Sequence, residues 1–148
     1  MLSSSRFIVA VNALSVLARM AGKGPICSGA VAASVHTNPV VIRRLMSELE
    51  KANLVRSVAG RSGGFELVRD ADEITLADVY RAVEDDVVFR MHKTDPLSSC
   101  PLAAQLGKIL SGPLRAAEGA LAVSLSGTTL KQVATVVCEG READIHAA

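Results

Sequence analysis

The stretch "HTNPVVIRRLMSELEKANLV", residues 36–55, constrains this chain more than any other. Asn38 can accept a hydrogen bond from the free N–H groups that open a helix. Pro39 fits the first helical position, where its missing N–H costs nothing. From there Ile42, Leu45, Met46 and Leu49 fall on one face, while Val40, Arg43, Arg44, Ser47 and Lys51 lie wholly or partly away from it. Such a helix buries a narrow stripe and leaves adjacent arginines in water, so it belongs on the surface of a larger core. The residues after it narrow the choice. "LVRS" and "FELVR" read as strands, and "SVAGRSGGF" (57–65) packs three glycines and one arginine between them, more than a two-residue hairpin needs.

The flanking segments supply the core. Residues 5–21 place Ile8, Val11, Ala13, Leu14, Val16, Leu17 and Met20 mostly at helical spacings, which predicts a well-buried helix ended by "GKGP". Ser28 is positioned to cap a short helix of small residues, "SGAVAASV". Beyond the hairpin, Thr75 and Asp78 form a capping box for a helix burying Leu76, Val79, Tyr80 and Val83. Residues 85–99 lose periodicity and read as a linker. A helical stripe resumes at 100, with Leu102, Leu106, Ile109, Leu110, Leu114 and Leu121. It is too long for the small domain to cover, and its simplest cover is the same stripe of a second copy. Gly112-Pro113 should kink or break it. Thr129 with Gln132 can cap a last helix, "LKQVATVV", before a frayed tail.

The fold expected is mainly α with a small β-hairpin (α+β). Its divisions are a winged helix-turn-helix unit over 1–84, a linker at 85–99, a helical dimerisation region at 100–138 and a flexible tail at 139–148. At 148 residues and 49% hydrophobic, the chain can bury a real core.

Charge points to the partner. The net charge of +1 hides a basic front and an acidic back. Residues 1–70 carry nine Lys/Arg and four Asp/Glu (net +5), and residues 71–148 carry seven and eleven (net −4). A short helix, a turn and a longer helix with paired arginines is the helix-turn-helix pattern, whose second helix lies in the DNA major groove. The glycines at 60, 63 and 64 would allow positive φ and close approach, and Arg61 at the loop tip supplies the cation a minor groove attracts. The expected DNA contacts are Ser28, Thr37, Asn38, Val40, Arg43, Arg44 and Ser47, with Gly60, Arg61, Ser62 and Gly63 in the wing. His36 is an exposed turn residue within reach of phosphate.

Three cysteines without metal-like spacing, Cys27, Cys100 and Cys138, argue for a reducing compartment and against a disulfide framework. "FIVAVNALSVLA" is interrupted by Asn12 and Ser15, so it reads as a core helix rather than a cleaved leader. It is also shorter than the roughly 20 residues of a membrane span. The chain is expected to be cytoplasmic, with no membrane partner. Cys27 and Cys138 read as small core residues. Cys100 precedes Pro101 and can occupy a helix N-cap, where the helix dipole favours thiolate. That allows a redox sensor, through sulfenic acid or a disulfide to a partner chain, or a structural cysteine. His92 lies too far along a loop to fix a Cys/His pair. No nucleotide, metal or nucleophile motif is present, and "GRSGG" lacks the phosphate-loop lysine, so no enzyme is expected.

The order of these motifs resembles the Rrf2 family of bacterial winged-helix transcription regulators, the class of IscR, NsrR and CymR. The resemblance covers residues 3–137 and rests on "NPVVIRRLMSELEKANLV", "GRSGGFELVRDADEITLADVYRAVE" and "CPL". Its YwnA-like branch, which lacks the cluster cysteines, shares the "TNPVV-RR" helix. The resemblance implies a homodimer on a near-palindromic double-stranded operator, usually a repressor, with the helix after Cys100 crossing to the partner. Members holding an iron–sulfur cluster supply three close cysteines after "RAVE". Here Cys100 stands alone, so no cluster is expected. The wing has Ala59-Gly60 where the family often has Arg-Gly, which leaves the minor-groove role to Arg61. The effector is not identified. A reading of another class is a thiol- or small-molecule-sensing protein in which the winged fold is only a dimer scaffold.

Overall fold

In a computed structural model of the chain, residues 5–84 and 101–136 are described, with the side chains of 101–104, Leu102 included, left aside. The expected linker at 85–99 and tail at 139–148, with His92, Cys100, Cys138 and His146, lie outside the described residues. The elements run α1 (Ser5–Arg19), α2 (Ser28–Val35), α3 (Pro39–Lys51), β1 (Val55–Val58), β2 (Gly64–Leu67), α4 (Leu76–Val83) and α5 (Pro101–Ser126). A sixth helix, α6, covers residues 130–136.

Helices α1 to α4 enclose one core. Ala10, Ala13, Leu14 and Leu17 of α1 meet Val31 and Ala32 of α2, Ile42, Met46 and Leu49 of α3, and Val79 of α4. The small residues let α1 and α2 approach closely, and Ser15, buried in α1, donates to the Val11 carbonyl at 2.8 Å. The α1 stripe is rotated from the expected one. Phe7 and Ala10 turn inward, whereas Ile8 is 64% exposed and Met20 also faces out. Phe7 meets the Tyr80 ring edge-on, with centroids 5.5 Å apart, so the inner face of α1 is set by α4. An Arg6–Glu48 ion pair ties α1 to α3.

The hairpin pairs β1 and β2 antiparallel, with Val55 opposite Leu67 and Ser57 opposite Phe65. Phe65 also exchanges backbone bonds with Ile26, at 3.0 and 2.9 Å, so the segment before α2 adds a one-residue third strand.

The chain after α5 returns to this core. Thr75 caps α4, taking the Asp78 N–H while the Asp78 side chain takes the Thr75 N–H. Thr129 and Gln132 do the same for α6, at 2.8 and 3.3 Å. These two caps pair with each other in an isolated antiparallel bridge. The Leu76 N–H donates to the Thr128 carbonyl at 3.0 Å and the Leu130 N–H to the Ile74 carbonyl at 2.8 Å. Leu130 is completely buried among the α1–α4 side chains. The segment after α5 is thus packed on the winged unit, with Leu130 in that unit's interior.

Helix α5 runs from Pro101 to Ser126 with Pro113 inside it, so of the expected kink or break at Gly112-Pro113 the break does not occur. A proline removes one N–H and crowds the preceding turn, at about 3 kcal/mol. The carbonyl left without its helical donor is that of Ile109, and in the same turn the Ser111 hydroxyl donates to the neighbouring Lys108 carbonyl at 2.8 Å. Much of the stripe is uncovered: Leu106 is 50% and Ile109 65% exposed, and Leu110 is also exposed, while Leu114 and Leu121 are half-buried. Among the described residues no helix is long and apolar enough to cross a membrane.

Candidate nucleic-acid interface

The opening of α3 follows its local chemistry. Asn38 is the N-cap, its Oδ1 accepting from the Val40 N–H at 2.8 Å, and Pro39 takes the first helical position. The chain reaches it through His36, which ends α2 in the left-handed conformation (φ 56°). The Thr37 N–H donates back to the Ala32 carbonyl at 3.0 Å, and that bond fixes the tight turn between the two helices. Val40, Arg43, Arg44 and Ser47 then form a continuous exposed stripe opposite buried Ile42, Leu45, Met46 and Leu49. Thr37 is half-buried and Asn38 exposed.

Ser28 does not cap α2. Cys27 holds the N-cap position without a side-chain bond, and Ser28 is the first helical residue. Its hydroxyl accepts instead from Arg43 Nη1 at 3.4 Å, a long bond that brings α2 and the arginine stripe together. Cys27 is exposed, not a core residue, because the bridge to Phe65 puts this segment at the surface beside the hairpin.

The wing's glycines have different reasons from those expected. Gly60 alone has positive φ, at +112°. A Cβ on Gly63 would lie 2.2 Å from the Val58 carbonyl oxygen, and one on Gly64 would lie 2.3 Å from the Ile26 carbonyl. These two glycines serve the protein's own backbone packing, whatever approaches from outside. Gly60, Arg61 and Ser62 are exposed, and Gly63 is half-buried.

One contact joining α3 to the hairpin was invisible in the sequence. At the end of α3 the Glu50 carboxylate accepts from the Ser57 N–H at 2.9 Å and its hydroxyl at 2.7 Å. Those bonds hold the Glu50 carboxyl below its ordinary pKa. The base of the wing is thereby clamped to the helix. Seven residues separate the partners, and no cap or turn pattern spans that spacing.

Charge pairing separates the cations into two groups. Arg6 is paired with Glu48, Arg56 with Glu66 at 2.7 Å, Arg81 with Asp78 at 3.6 Å and Lys131 with Asp72 at 3.5 Å. Among the described residues Arg43, Arg44 and Arg61 enter no ion pair, and neither do the exposed Arg19, Lys23 and Lys51; the first three are set apart by their place on the outer stripe of α3 and at the tip of the hairpin. Left-over cations on an exposed helix stripe and at a hairpin tip are what a polyanion's phosphates would neutralise.

The family model described as an iron-dependent transcriptional regulator, Rrf2, matches residues 3–135. The chain belongs to the Rrf2 family. As a member it is a transcriptional regulator with the family's winged-helix fold. The HTH-type transcriptional regulator YwnA of Bacillus subtilis is 36% identical over 131 residues, covering 88% of this chain and 95% of YwnA. CymR, the global cysteine regulator of B. subtilis, superposes with a TM-score of 0.66 at 24% identity, over 92% of this chain and 98% of CymR. The oxidized form of Staphylococcus aureus CymR gives 0.62 at 27% identity, over 90% and 96%.

The Rrf2 description names iron, but the donor set does not fit a cluster. Among the described residues no three His, Cys, Asp or Glu side chains gather as metal ligands. The sequence after α4 offers Cys100 as its single thiol before Cys138. One thiolate cannot replace the cysteine set of such a cluster, and no step is assigned to it.

Proposed function

We propose that the chain binds double-stranded DNA as a homodimer and represses transcription from a near-palindromic operator. The observation that carries this reading is the set of unpaired, exposed cations Arg43, Arg44 and Arg61 on a capped helix and on the wing clamped to it. Helix α3 enters the major groove with its Asn38 end leading. Arg43 and Arg44 reach guanine edges or phosphates, and Thr37, Asn38, Val40 and Ser47 set the depth of insertion. The wing, through Gly60, Arg61, Ser62 and Gly63, follows the neighbouring minor groove. The uncovered α5 stripe supplies the dimer contact, Leu106, Ile109 and Leu110 being its exposed members. Cys100, adjoining the first residue of α5, is placed at the root of that contact in sequence, so its oxidation would bear on dimer geometry. The oxidized S. aureus CymR structure supports a redox input within this fold.

The test is a fluorescence-anisotropy titration on the DNA just upstream of the coding region, at two salt concentrations, with and without peroxide and reductant. Tight, salt-sensitive binding is expected. Arg43→Ala should relax discrimination at one position in each half-site by roughly 1–3 kcal/mol. Arg61→Ala should weaken all sequences alike and lower the salt slope by about one. Ile109→Glu should shift the chain towards monomer in sedimentation velocity. Absence of sequence-specific binding under every condition would favour instead a sensor that uses the winged fold only as a scaffold.

A further inference from the structure

The first turn of α3 carries an apolar feature that the arginines do not account for. Val40 and Val41 are 45% and 46% exposed, and neither belongs to the hydrophobic core or to the side chains packed against it. Their backbone is nonetheless held firmly. Asn38 Oδ1 accepts from the Val40 N–H at 2.8 Å, and the Asn38 carbonyl accepts from the Ile42 N–H at 3.2 Å. The Ile42 side chain is completely buried, an anchor that stops the turn from rolling. Valine in a helix keeps essentially one side-chain rotamer, so its methyl groups are presented in fixed directions with little entropy left to lose on contact. Arg43 and Arg44 follow three residues behind Val40 and Val41 in turn. The apolar pair therefore stands one helical turn ahead of two arginines that enter no ion pair among the described residues.

An apolar protein surface is a poor match for this face, because it would strip water from Arg43 and Arg44 and return no charge. The major groove of DNA answers both halves. Its phosphates neutralise the arginines, and the apolar group on its floor is the C5-methyl of thymine. We propose that Val40 and Val41 determine specificity by packing against thymine methyl groups, so that each operator half-site carries thymine where the first turn of α3 faces it. This rests on the DNA-binding reading and goes beyond it: there Val40 sets the depth of insertion, whereas here both valines select a base.

The test removes the methyl groups and nothing else. The DNA upstream of the coding region is copied with dUTP in place of dTTP. The full chain is then titrated against the dT and dU fragments by fluorescence anisotropy, with a scrambled dT fragment as the measure of non-specific binding. Losing one buried methyl costs about fourfold in affinity, and roughly fifteenfold when the contact recurs in both half-sites. The dU fragment should thus bind at least about tenfold more weakly. Val40→Ala and Val41→Ala lie at exposed helical positions where alanine is favourable, so both variants should fold. Each should shrink the dT-to-dU ratio, and the double variant should bring it close to one. Arg43→Ala should weaken both fragments and keep the ratio. Equal binding of dT and dU by the parent protein would overturn the methyl contact and leave the DNA-binding reading intact. A ratio that persists in the double variant would overturn it too, the methyl groups then acting through another residue or through the shape of the duplex. A dT fragment bound no tighter than the scrambled one would refute the DNA-binding reading itself, and the valine assignment with it.

Discussion

Gly64→Ala isolates the joint between the wing and the helix-turn-helix. In an ordinary strand, exchanging glycine for alanine stabilises by about 0.5–1 kcal/mol, because the glycine chain has more freedom to lose on folding. At Gly64 the new methyl would lie 2.3 Å from both the carbon and the oxygen of the Ile26 carbonyl and 2.7 Å from the Cys27 nitrogen. All three are backbone atoms and cannot rotate away. The cheapest relief is to part Ile26 from Phe65, which gives up two hydrogen bonds of 3.0 and 2.9 Å. At about 1 kcal/mol each, with further loss where Phe65 leaves its partly buried seat, the cost is roughly 2–4 kcal/mol. The sign of the effect is therefore reversed from that of a free strand position. Urea denaturation followed by circular dichroism measures it, with the m-value checked so that a changed unfolded state is not mistaken for a changed native one. A stability equal to or above that of the parent protein would refute the close approach of β2 to Ile26. The DNA titration adds a second reading, since a wing released from Ile26 should bind the operator more weakly even where the fold survives.

Three further outcomes follow from the same structure. Leu130→Ala should cost about 3 kcal/mol in the same denaturation assay, as for other fully buried leucines, although the residue lies beyond α5 in the chain. His36→Gly should raise stability by about 1 kcal/mol, because His36 sits at φ 56° where a side chain is strained and glycine is not. Asp78→Asn tests the α4 cap by pH. Burial pushes the Asp78 carboxyl up, but the Thr75 hydrogen bonds and the Arg69 and Arg81 charges outweigh it, and the net pKa is lowered. A carboxyl depressed in the folded state stabilises fully above its unfolded value of about 3.9, and that stabilisation is lost as the pH falls through the folded value. The variant should thus be less stable by about 1 kcal/mol at neutral pH, and the gap should narrow as the pH falls below the unfolded carboxyl value. A gap independent of pH would rule out the ionised cap.

Much of this was readable before any coordinates, and the reason is range. The caps at Asn38, Thr75 and Thr129 are satisfied within three residues, so their chemistry is written in the local sequence and all three helices start where it says. The buried face of α3 follows from spacing alone. What could not be read depends on partners far along the chain. Ile26 meets Phe65 across 39 residues, and that contact makes Cys27 exposed, leaves Ser28 inside the helix and explains Gly64. Ile8 and Met20 face outward because Phe7 is claimed by Tyr80. Gly112-Pro113 was read on local grounds as a kink or break, and α5 continues through it. For the DNA interface, the sequence supplies which cations stand on the outer stripe. It does not show that others nearby are already neutralised, nor that Glu50 fastens the wing to α3.

The pairing of the Thr75 and Thr129 caps has a geometric consequence for the proposed dimer. Helix α5 has 26 residues, a rod of roughly 39 Å at about 1.5 Å each. The segment that follows its last turn is fastened to the helix-turn-helix unit by backbone bonds between 74–76 and 128–130. Two such rods laid against each other work as the arms of a calliper. Half-sites on DNA are met at intervals of about 34 Å per helical turn, so the arms must open to a set gauge before both heads seat together. Over an arm this long, a change of about 6° displaces the tip by roughly 4 Å, more than the rise of one base pair. In the proposed dimer the choice of operator would then be made twice: by the arginines for the letters, and by the crossing of two helices, far from any base, for the distance between them.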